Sequence, residues 1–260
     1  MTPNVVDVGI GNDLPTVRGV DGSGPTTGAG AFLSGTRPRL NLSLDGRSLT
    51  YNEQAYGPQS LWDLDRVEVF RGPQSYIQGR NAIAGAIVMA SKDPTFEWES
   101  AFKGGAGNQH SSQLAAMASG PLVEDQLAFR VSVDRQRRRS DADLPAYEPV
   151  GDPREVEATT ARAKLLFNPA GLRDLTTKLT FNHFGSTAPQ NESLNPQPHP
   201  ASARHDIRRP VFKSNVNSGI WDLAWEASDG LALENRVIYT DFNINRATAY
   251  QLPYADIGGK

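Results

Sequence analysis

From residue 96 onward the chain repeats one pattern, an apolar side chain at every second position. Leu127, Phe129, Val131 and Val133 alternate with Ala128, Arg130, Ser132 and Asp134. Ala161, Ala163, Leu165 and Phe167 alternate with Thr160, Arg162, Lys164 and Leu166. The same holds for Leu175, Thr177, Leu179 and Phe181 against Thr176, Lys178, Thr180 and Asn182, and for Trp221, Leu223 and Trp225 against Asp222, Ala224 and Glu226. A period of two puts successive side chains on opposite faces of a strand, so each segment predicts a strand with one apolar and one polar face. About seven such strands are expected, at 98–106, 112–120, 126–137, 156–167, 174–184, 215–226 and 231–243. In a soluble sandwich the polar face meets solvent. In a large transmembrane barrel it lines a wet lumen, and the apolar face meets lipid. Alternation alone does not separate the two.

Connection lengths favour the barrel. The links 121–125, 168–173 and 227–230 are short, whereas 138–155 and 185–214 are long, polar and rich in proline. After the brief first link at 107–111, short and long alternate, as they do when turns face one side of a membrane and loops the other. Phe96, Trp98 and Trp225 fall at the short-turn end. Amphipathic rings at one level form an interfacial girdle.

Composition narrows the classes. Only 38% of residues are hydrophobic, and no run approaches the roughly 20 apolar residues of a spanning helix. The net charge of −3, from 26 basic and 29 acidic residues, gives no electrostatic case for nucleic acid. Cysteine is absent, which removes disulfides and thiolate metal sites. His110, His183, His199 and His205 are scattered without partners at ligand spacing. Asp141, Asp143, Asp152 and Glu155 cluster without a calcium-loop spacing. No metal site, cofactor or catalytic set is expected. The opening MTPNVVDVG has neither a basic nor an apolar signal region.

Residues 1–95 differ in character. Glycine is dense, and Pro15, Pro25, Pro38 and Pro58 punctuate short elements. Pro15 to Val20 reads as a strand entering a glycine turn. Leu40, Leu42 and Leu44 alternate with Arg39, Asn41 and Ser43 before a hairpin-type Asp45-Gly46 turn. Ser60 is placed to cap a short helix through Trp62 and Leu64. Two short buried strands follow, at 66–70 and 86–90, joined by a loop holding Gly72-Pro73, Gly79-Arg80-Asn81 and Gly85. Nucleotide-binding readings fail, because Gly72 to Arg80 has neither the spacing nor the lysine of a P-loop.

The segment from Leu64 to Thr95, LDRVEVFRGPQSYIQGRNAIAGAIVMASKDPT, closely resembles the end of the plug domain of TonB-dependent outer-membrane receptors. In that family an Arg-Gly-Pro loop, a Gly-Arg-Asn turn and a strand ending in Lys-x-Pro precede the barrel. Thr16 to Val20 resembles the family's Ile-Arg-Gly signature. Asp45-Gly46 resembles its Asp-Gly-Val-Pro segment, with Arg47-Ser48 replacing valine-proline. The resemblance implies an α+β plug domain at 1–95, followed at 96–260 by an antiparallel β meander forming part of a transmembrane barrel of about 22 strands. About seven strands cannot close such a barrel, so the chain is expected to be a truncated fragment that aggregates alone through its open edge and apolar face. No export signal or TonB box is found, so the chain is expected to be a fragment or to have its true start upstream.

The function implied is gated uptake of a large scarce nutrient, with ferric siderophore the family's commonest cargo. The TonB–ExbB–ExbD complex supplies the work. The complete barrel is a monomer in the outer membrane of a Gram-negative bacterium, in contact with lipid and lipopolysaccharide, and is not an enzyme. A soluble or surface β-rich binding or adhesion protein is the alternative. By resemblance, Arg18 and Arg71 lock the plug to carboxylates on the barrel's inner wall. Candidate ligand contacts at plug turns are Tyr76, Ile77 and Gln78, then Thr26, Thr27, Phe32, Tyr51 and Asn52. Ile77-Gln78-Gly79-Arg80-Asn81 stands where the family often has Leu-Tyr-Gly-Arg-Asn, so the aromatic moves to Tyr76. Arg135, Arg137, Arg138 and Arg139, at the outer end of one strand, are candidate lipopolysaccharide contacts because guanidinium geometry suits phosphate.

Overall fold

The computed structural model describes residues 5–6, 14–17, 19–20, 22–25, 37–73, 82–139, 152, 154–172, 174–189 and 211–247. A two-residue pair, β1 (Val5–Val6) and β2 (Thr16–Val17), leads the chain. A four-stranded sheet follows. Its strands are β3 (Leu40–Leu44), β4 (Arg47–Ser48), β5 (Leu64–Arg71) and β6 (Gly85–Ser91), in the order β4-β3-β6-β5, with helix α1 (Tyr51–Ala55) inserted between β4 and β5. β3 and β6 are parallel; the other two pairs are antiparallel.

The second half is a seven-stranded antiparallel meander. Its strands are β7 (Glu99–Gly107), β8 (Ser111–Val123), β9 (Leu127–Arg139), β10 (Glu155–Phe167), β11 (Leu175–Pro189), β12 (Val211–Ser228) and β13 (Leu231–Ala247). Each expected strand is present. β11 and β12 extend further than the alternation indicated, to Pro189 and from Val211, because their pairing continues to Pro189↔Val211. Short turns join β8 to β9, β10 to β11 and β12 to β13, and the long links lie at the opposite end. Among the described residues the sheet is not closed, and β7 and β13 are its edges.

This sheet, the wall, is inside out relative to a soluble domain. Val131, Val133, Leu165, Leu179, Phe181, Trp221 and Val237 are exposed, Phe181 at 50%. Their polar strand neighbours Arg130, Ser132, Asp134, Arg162, Lys164, Thr180 and Asn182 are buried, Asp134 at 2%. Hiding these half-exposed side chains would gain about 1 kcal/mol each, so the face favours an apolar medium. Trp98, 72% exposed, stands immediately before β7 and meets Phe129 edge-on at 5.8 Å. Leu122, Leu172 and Leu231 are exposed at the same end.

What buries the polar face is the leading unit, the plug. α1 is built on a capping box. Thr50 Oγ1 accepts from the Glu53 amide, and the Glu53 carboxylate accepts from the Thr50 amide at 2.8 Å. The same carboxylate takes Arg47 Nη1 and Nη2 at 3.1 and 2.7 Å. The helix docks near the outer ends of β10 to β12. Tyr51, Ala55 and Tyr56 share a cluster with Leu14, Val156, Ala188 and Phe212. The Tyr56 ring stacks on Phe212 at 3.8 Å. Gly57 lies so close that a Cβ there would stand 2.7 Å from Phe184 Cζ and 2.8 Å from Ser186 Cβ. The Asp45-Gly46 turn forms as expected, both residues at positive φ (51° and 81°), a type I′ arrangement joining β3 to β4.

Three expectations are corrected. Ser60 caps no helix; residues 62–63 form a turn, and Asp63 takes a positive φ of 58°. The helix lies earlier, at α1. β5 is not buried, for Val67 and Phe70 are exposed on it, because it is the edge strand of its sheet. Tyr51 and Asn52 belong to α1 rather than to a turn and are buried against the wall.

Removing the Tyr56 ring leaves Phe212 facing a cavity. Tyr56→Ala is expected to weaken plug docking by about 3 kcal/mol, read as a lower urea midpoint for plug release in detergent. A midpoint equal to wild type would contradict this packing.

Candidate functional site

The short-turn half of the plug–wall interface is ionic. Arg130 on β9 and Asp63 in the plug turn are 3% and 5% exposed, with Nη2 to Oδ1 at 2.5 Å and Nε to Oδ2 at 2.9 Å. Its third nitrogen reaches Glu99 at 3.1 Å. On β10, Lys164 donates to Asp93 Oδ1 and to the Ser91 carbonyl, both at 2.9 Å, and lies 3.6 Å from Asp45. Lys178 on β11 reaches both Asp93 oxygens at 3.0 Å. Arg162 donates to the Trp62 carbonyl at 2.6 Å. Arg236 on β13 pairs with Asp222 and lies over Gly46, where there is no side chain to obstruct it. Burial of Arg130 and Lys164 is tolerable because each is paired and hydrogen-bonded, whereas Arg162 is held by the Trp62 carbonyl alone, its Nε and Nη1 buried without a hydrogen-bond partner among the described residues. Burial opposes ionisation of Asp93, but Lys164 and then Lys178 outweigh it and hold its pKa below the ordinary carboxylate value of 3.8.

This lock is separate from the Arg18 and Arg71 pairs that the resemblance implies, and its charge order is opposite to theirs. Cations stand on the wall and carboxylates on the plug. Arg71 is exposed at the end of β5 and makes no ion pair among the described residues. Arg18 lies outside the described residues, as do Thr26, Thr27, Phe32, Tyr76, Ile77 and Gln78.

Further out, the wall carries a second polar cluster. Asp134 accepts from Gln113 at 2.9 Å, from Gln136 at 2.7 Å and from Ser60 of the plug at 2.6 Å. Above it opens a cavity of about 320 Å³, lined by Pro58, Gly105, Gln113, Gln136, Arg138 and Val156 among others. The four outer arginines divide. Arg135, Arg137 and Arg139 share the outward parity of Val131 and Val133, while Arg138 lies opposite Val156 on the inner face. Arg138 therefore leaves the group of candidate lipopolysaccharide contacts. The other three pair along or beside β10: Arg135 with Glu157 at 3.8 Å, Arg137 with Glu157 and with Glu155 at 3.1 Å, and Arg139 with Asp152 at 2.6 Å. Asp152 and Glu155 are thus engaged with arginine; Asp141 and Asp143 lie outside the described residues.

Sequence reasoning missed Asp45, Asp63, Asp93, Arg130, Lys164 and Lys178 as a lock. A signal existed, since cations recur on the polar face of consecutive strands, but nothing local paired them with plug carboxylates. Arg130→Ala strands Asp63 in a buried site, so plug retention is expected to fall by about 3–5 kcal/mol, with new protease cleavage near Asp63; resistance equal to wild type would count against the lock. The depressed Asp93 pKa gives a sign. Its contribution is complete above about pH 4 and is lost as pH falls through the lower folded-state value. Plug release is therefore expected to steepen in acid, and Asp93→Asn to flatten that part of a urea-midpoint profile against pH.

Comparisons with known proteins agree with this architecture. The family model described as TonB-dependent Receptor Plug Domain matches residues 3–86. The chain is 31% identical over 168 residues to the ferrioxamine receptor of Yersinia enterocolitica, covering 61% of this chain and 22% of that protein. It is 30% identical over 95 residues to the ferrioxamine B receptor of Salmonella typhimurium, covering 35% and 14%. The chain thus spans about a fifth, 22%, of the Yersinia relative's length. Among solved structures, the ferric yersiniabactin uptake receptor of Yersinia pestis superposes with a TM-score of 0.73 at 19% identity, covering 95% of this chain and 38% of that one. The alcaligin outer-membrane receptor of Bordetella pertussis gives 0.64 at 15% identity, covering 94% and 35%. Residues 3–86 thus match the plug domain of TonB-dependent receptors, and the chain as a whole, a plug sheet seated on the polar face of an outward-apolar meander, is similar in fold to the solved receptors.

Proposed function

We propose that this chain supplies the plug and the opening third of the wall of an outer-membrane transporter that takes up a ferric siderophore. The observation that carries the reading is the inverted wall, its apolar face outward and its polar face filled by a plug. A soluble binding or adhesion protein has no use for a band containing Val131, Leu165, Phe181 and Trp221 in water. An outer membrane offers acyl chains to that band. Residues 1–95 act as the plug and 96–260 as the wall. The matched relatives are named as ferrioxamine receptors, which favours a siderophore over the family's other cargoes and a transport receptor over an enzyme.

A plugged lumen needs work to open it, and the outer membrane has no ion gradient or nucleotide of its own. TonB, with ExbB and ExbD, supplies that work by pulling on the plug. The Arg130–Asp63 and Lys164–Asp93 contacts resist the pull. Arg71 and Arg18 pair with carboxylates on strands that complete the wall around a single barrel. Tyr76, Ile77, Gln78, Thr26, Thr27 and Phe32 offer ligand contacts from the plug's outer turns, while buried Tyr51 and Asn52 support that surface from below. Arg135, Arg137 and Arg139, on the outward face above the apolar band, meet lipopolysaccharide phosphates.

Cells expressing the intact receptor are expected to accumulate radiolabelled ferric ferrioxamine B, and to stop when TonB is deleted. Uptake that persists without TonB would overturn the energised mechanism; no uptake of this or any other ferric siderophore would overturn the cargo.

A further inference from the structure

One row of inner-face side chains lies between the ionic lock and the Asp134 cluster. The strand registers set Ser132, Arg162, Asn182 and Ser218 opposite one another on β9, β10, β11 and β12. Directly paired positions hold their Cβ atoms about 5 Å apart, so Arg162, Asn182 and Ser218 are neighbours. Arg162 and Asn182 are 5% exposed and Ser218 2%. The adjacent rows close the space. Phe184 and Val216 lie toward the long loops, Thr180 and Ile220 toward the short turns, and all are buried.

The polar atoms of this row are left over. Arg162 Nε and Nη1, Asn182 Oδ1 and Nδ2, and Ser218 Oγ are buried with no hydrogen-bond partner among the described residues. Arg162 Nη2 donates to the Trp62 carbonyl at 2.6 Å, a neutral acceptor. A guanidinium withdrawn from water needs a counter-charge, and among the described residues Arg162 makes no ion pair. The carboxylates around it are committed elsewhere. Asp63 is held by Arg130 through two nitrogens. Asp45 accepts from the Ser91 amide and hydroxyl, with Lys164 at 3.6 Å. Asp134 accepts from Ser60, Gln113 and Gln136. It stands on β9, on the opposite flank of β10 from Asn182 and Ser218.

We propose that a small monovalent anion, with the size and charge of chloride, is held beside Arg162, Asn182 and Ser218 and fastens the Trp62 turn of the plug to the wall. Arg162 has free N–H groups at both Nε and Nη1, so an anion finds a donor on whichever side of the guanidinium it sits. Asn182 Nδ2 supplies a second donor from β11. Asn182 Oδ1, which an anion does not serve, lies opposite Ser218, whose hydroxyl is free to rotate and donate to it. Water would meet the donors but leave the charge uncompensated. The apolar rows on both sides keep the local dielectric low, which strengthens the attraction between guanidinium and anion. An anion bound by the seated plug and lost on its release stabilises the seated form, so plug retention follows halide concentration. This proposal does not depend on the cargo.

The test uses the intact receptor in detergent. Crystals grown in sodium bromide are expected to show an anomalous peak within hydrogen-bond distance of Arg162 and Asn182. In solution, the urea midpoint for plug release is followed while chloride replaces gluconate at constant sodium concentration. The wild-type midpoint should rise with chloride and then saturate. Arg162→Gln should lower the midpoint and abolish the chloride response. Asn182→Asp builds the negative charge into the wall. It should bring the midpoint in gluconate up to that of wild type in chloride and remove the response to chloride. This variant also decides the matter if Arg162→Gln fails to fold. A wild-type midpoint indifferent to chloride overturns the proposal, and so does a full chloride response in Asn182→Asp. A bromide peak without a chloride response in solution marks an adventitious ion only and overturns it as well.

Discussion

A sheet that turns its leucines, valines and aromatics outward has surrendered the means by which most sheets are stabilised. Its other face must then be satisfied by polar contacts or water, because a buried donor or acceptor without a partner costs more than a made hydrogen bond returns. Here the plug supplies much of that satisfaction. Arg130, Lys164 and Lys178 find carboxylates on plug turns, Arg162 finds the Trp62 carbonyl, and Asp134 finds Ser60. Plug and wall therefore share part of one interior, while the plug also keeps small apolar clusters of its own around Leu40 and Leu44.

That interior has two zones of different chemistry. Toward the long-loop end, α1 packs apolar side chains onto Val156, Ala188 and Phe212. Toward the short-turn end, contact is through charge. The zones respond to different insults. Apolar packing is insensitive to protonation and fails by creating cavity. Ion pairs in a confined space fail when one partner is neutralised or pulled away.

Much of this was legible in the sequence, for identifiable reasons. The wall strands announce themselves because alternation is imposed twice over, by lipid on one face and by the plug on the other, so neither face can drift. The Asp45-Gly46 hairpin was legible because positive φ at both positions demands such residues. The α1 helix carried a signal that went unread, the capping box from Thr50 to Glu53, obscured by the shortness of a five-residue helix. Ser60 was read as a cap because serine before an apolar run often is one. Its hydroxyl instead serves Asp134, 74 residues away, and no local pattern reveals a partner at that distance. The exposure of β5 was hidden for the same kind of reason, since edge position is a property of sheet order rather than of the strand's own residues.

The reversed charge order of the lock follows from where short and long side chains can be held. Asp45 and Asp63 occupy tight turns at positive φ, which aspartate tolerates better than most residues. Their carboxylates sit close to the backbone and are fixed by it; Asp45, for example, also accepts from the Ser91 amide and hydroxyl at 2.8 and 2.7 Å. At Asp63 and Asp93 the wall meets the plug through arginine and lysine stems, which pack along their own length. Arg71, at the far end of an edge strand, has the opposite circumstances. A long plug side chain facing open space is the arrangement that would suit short acids on the remainder of a closed wall.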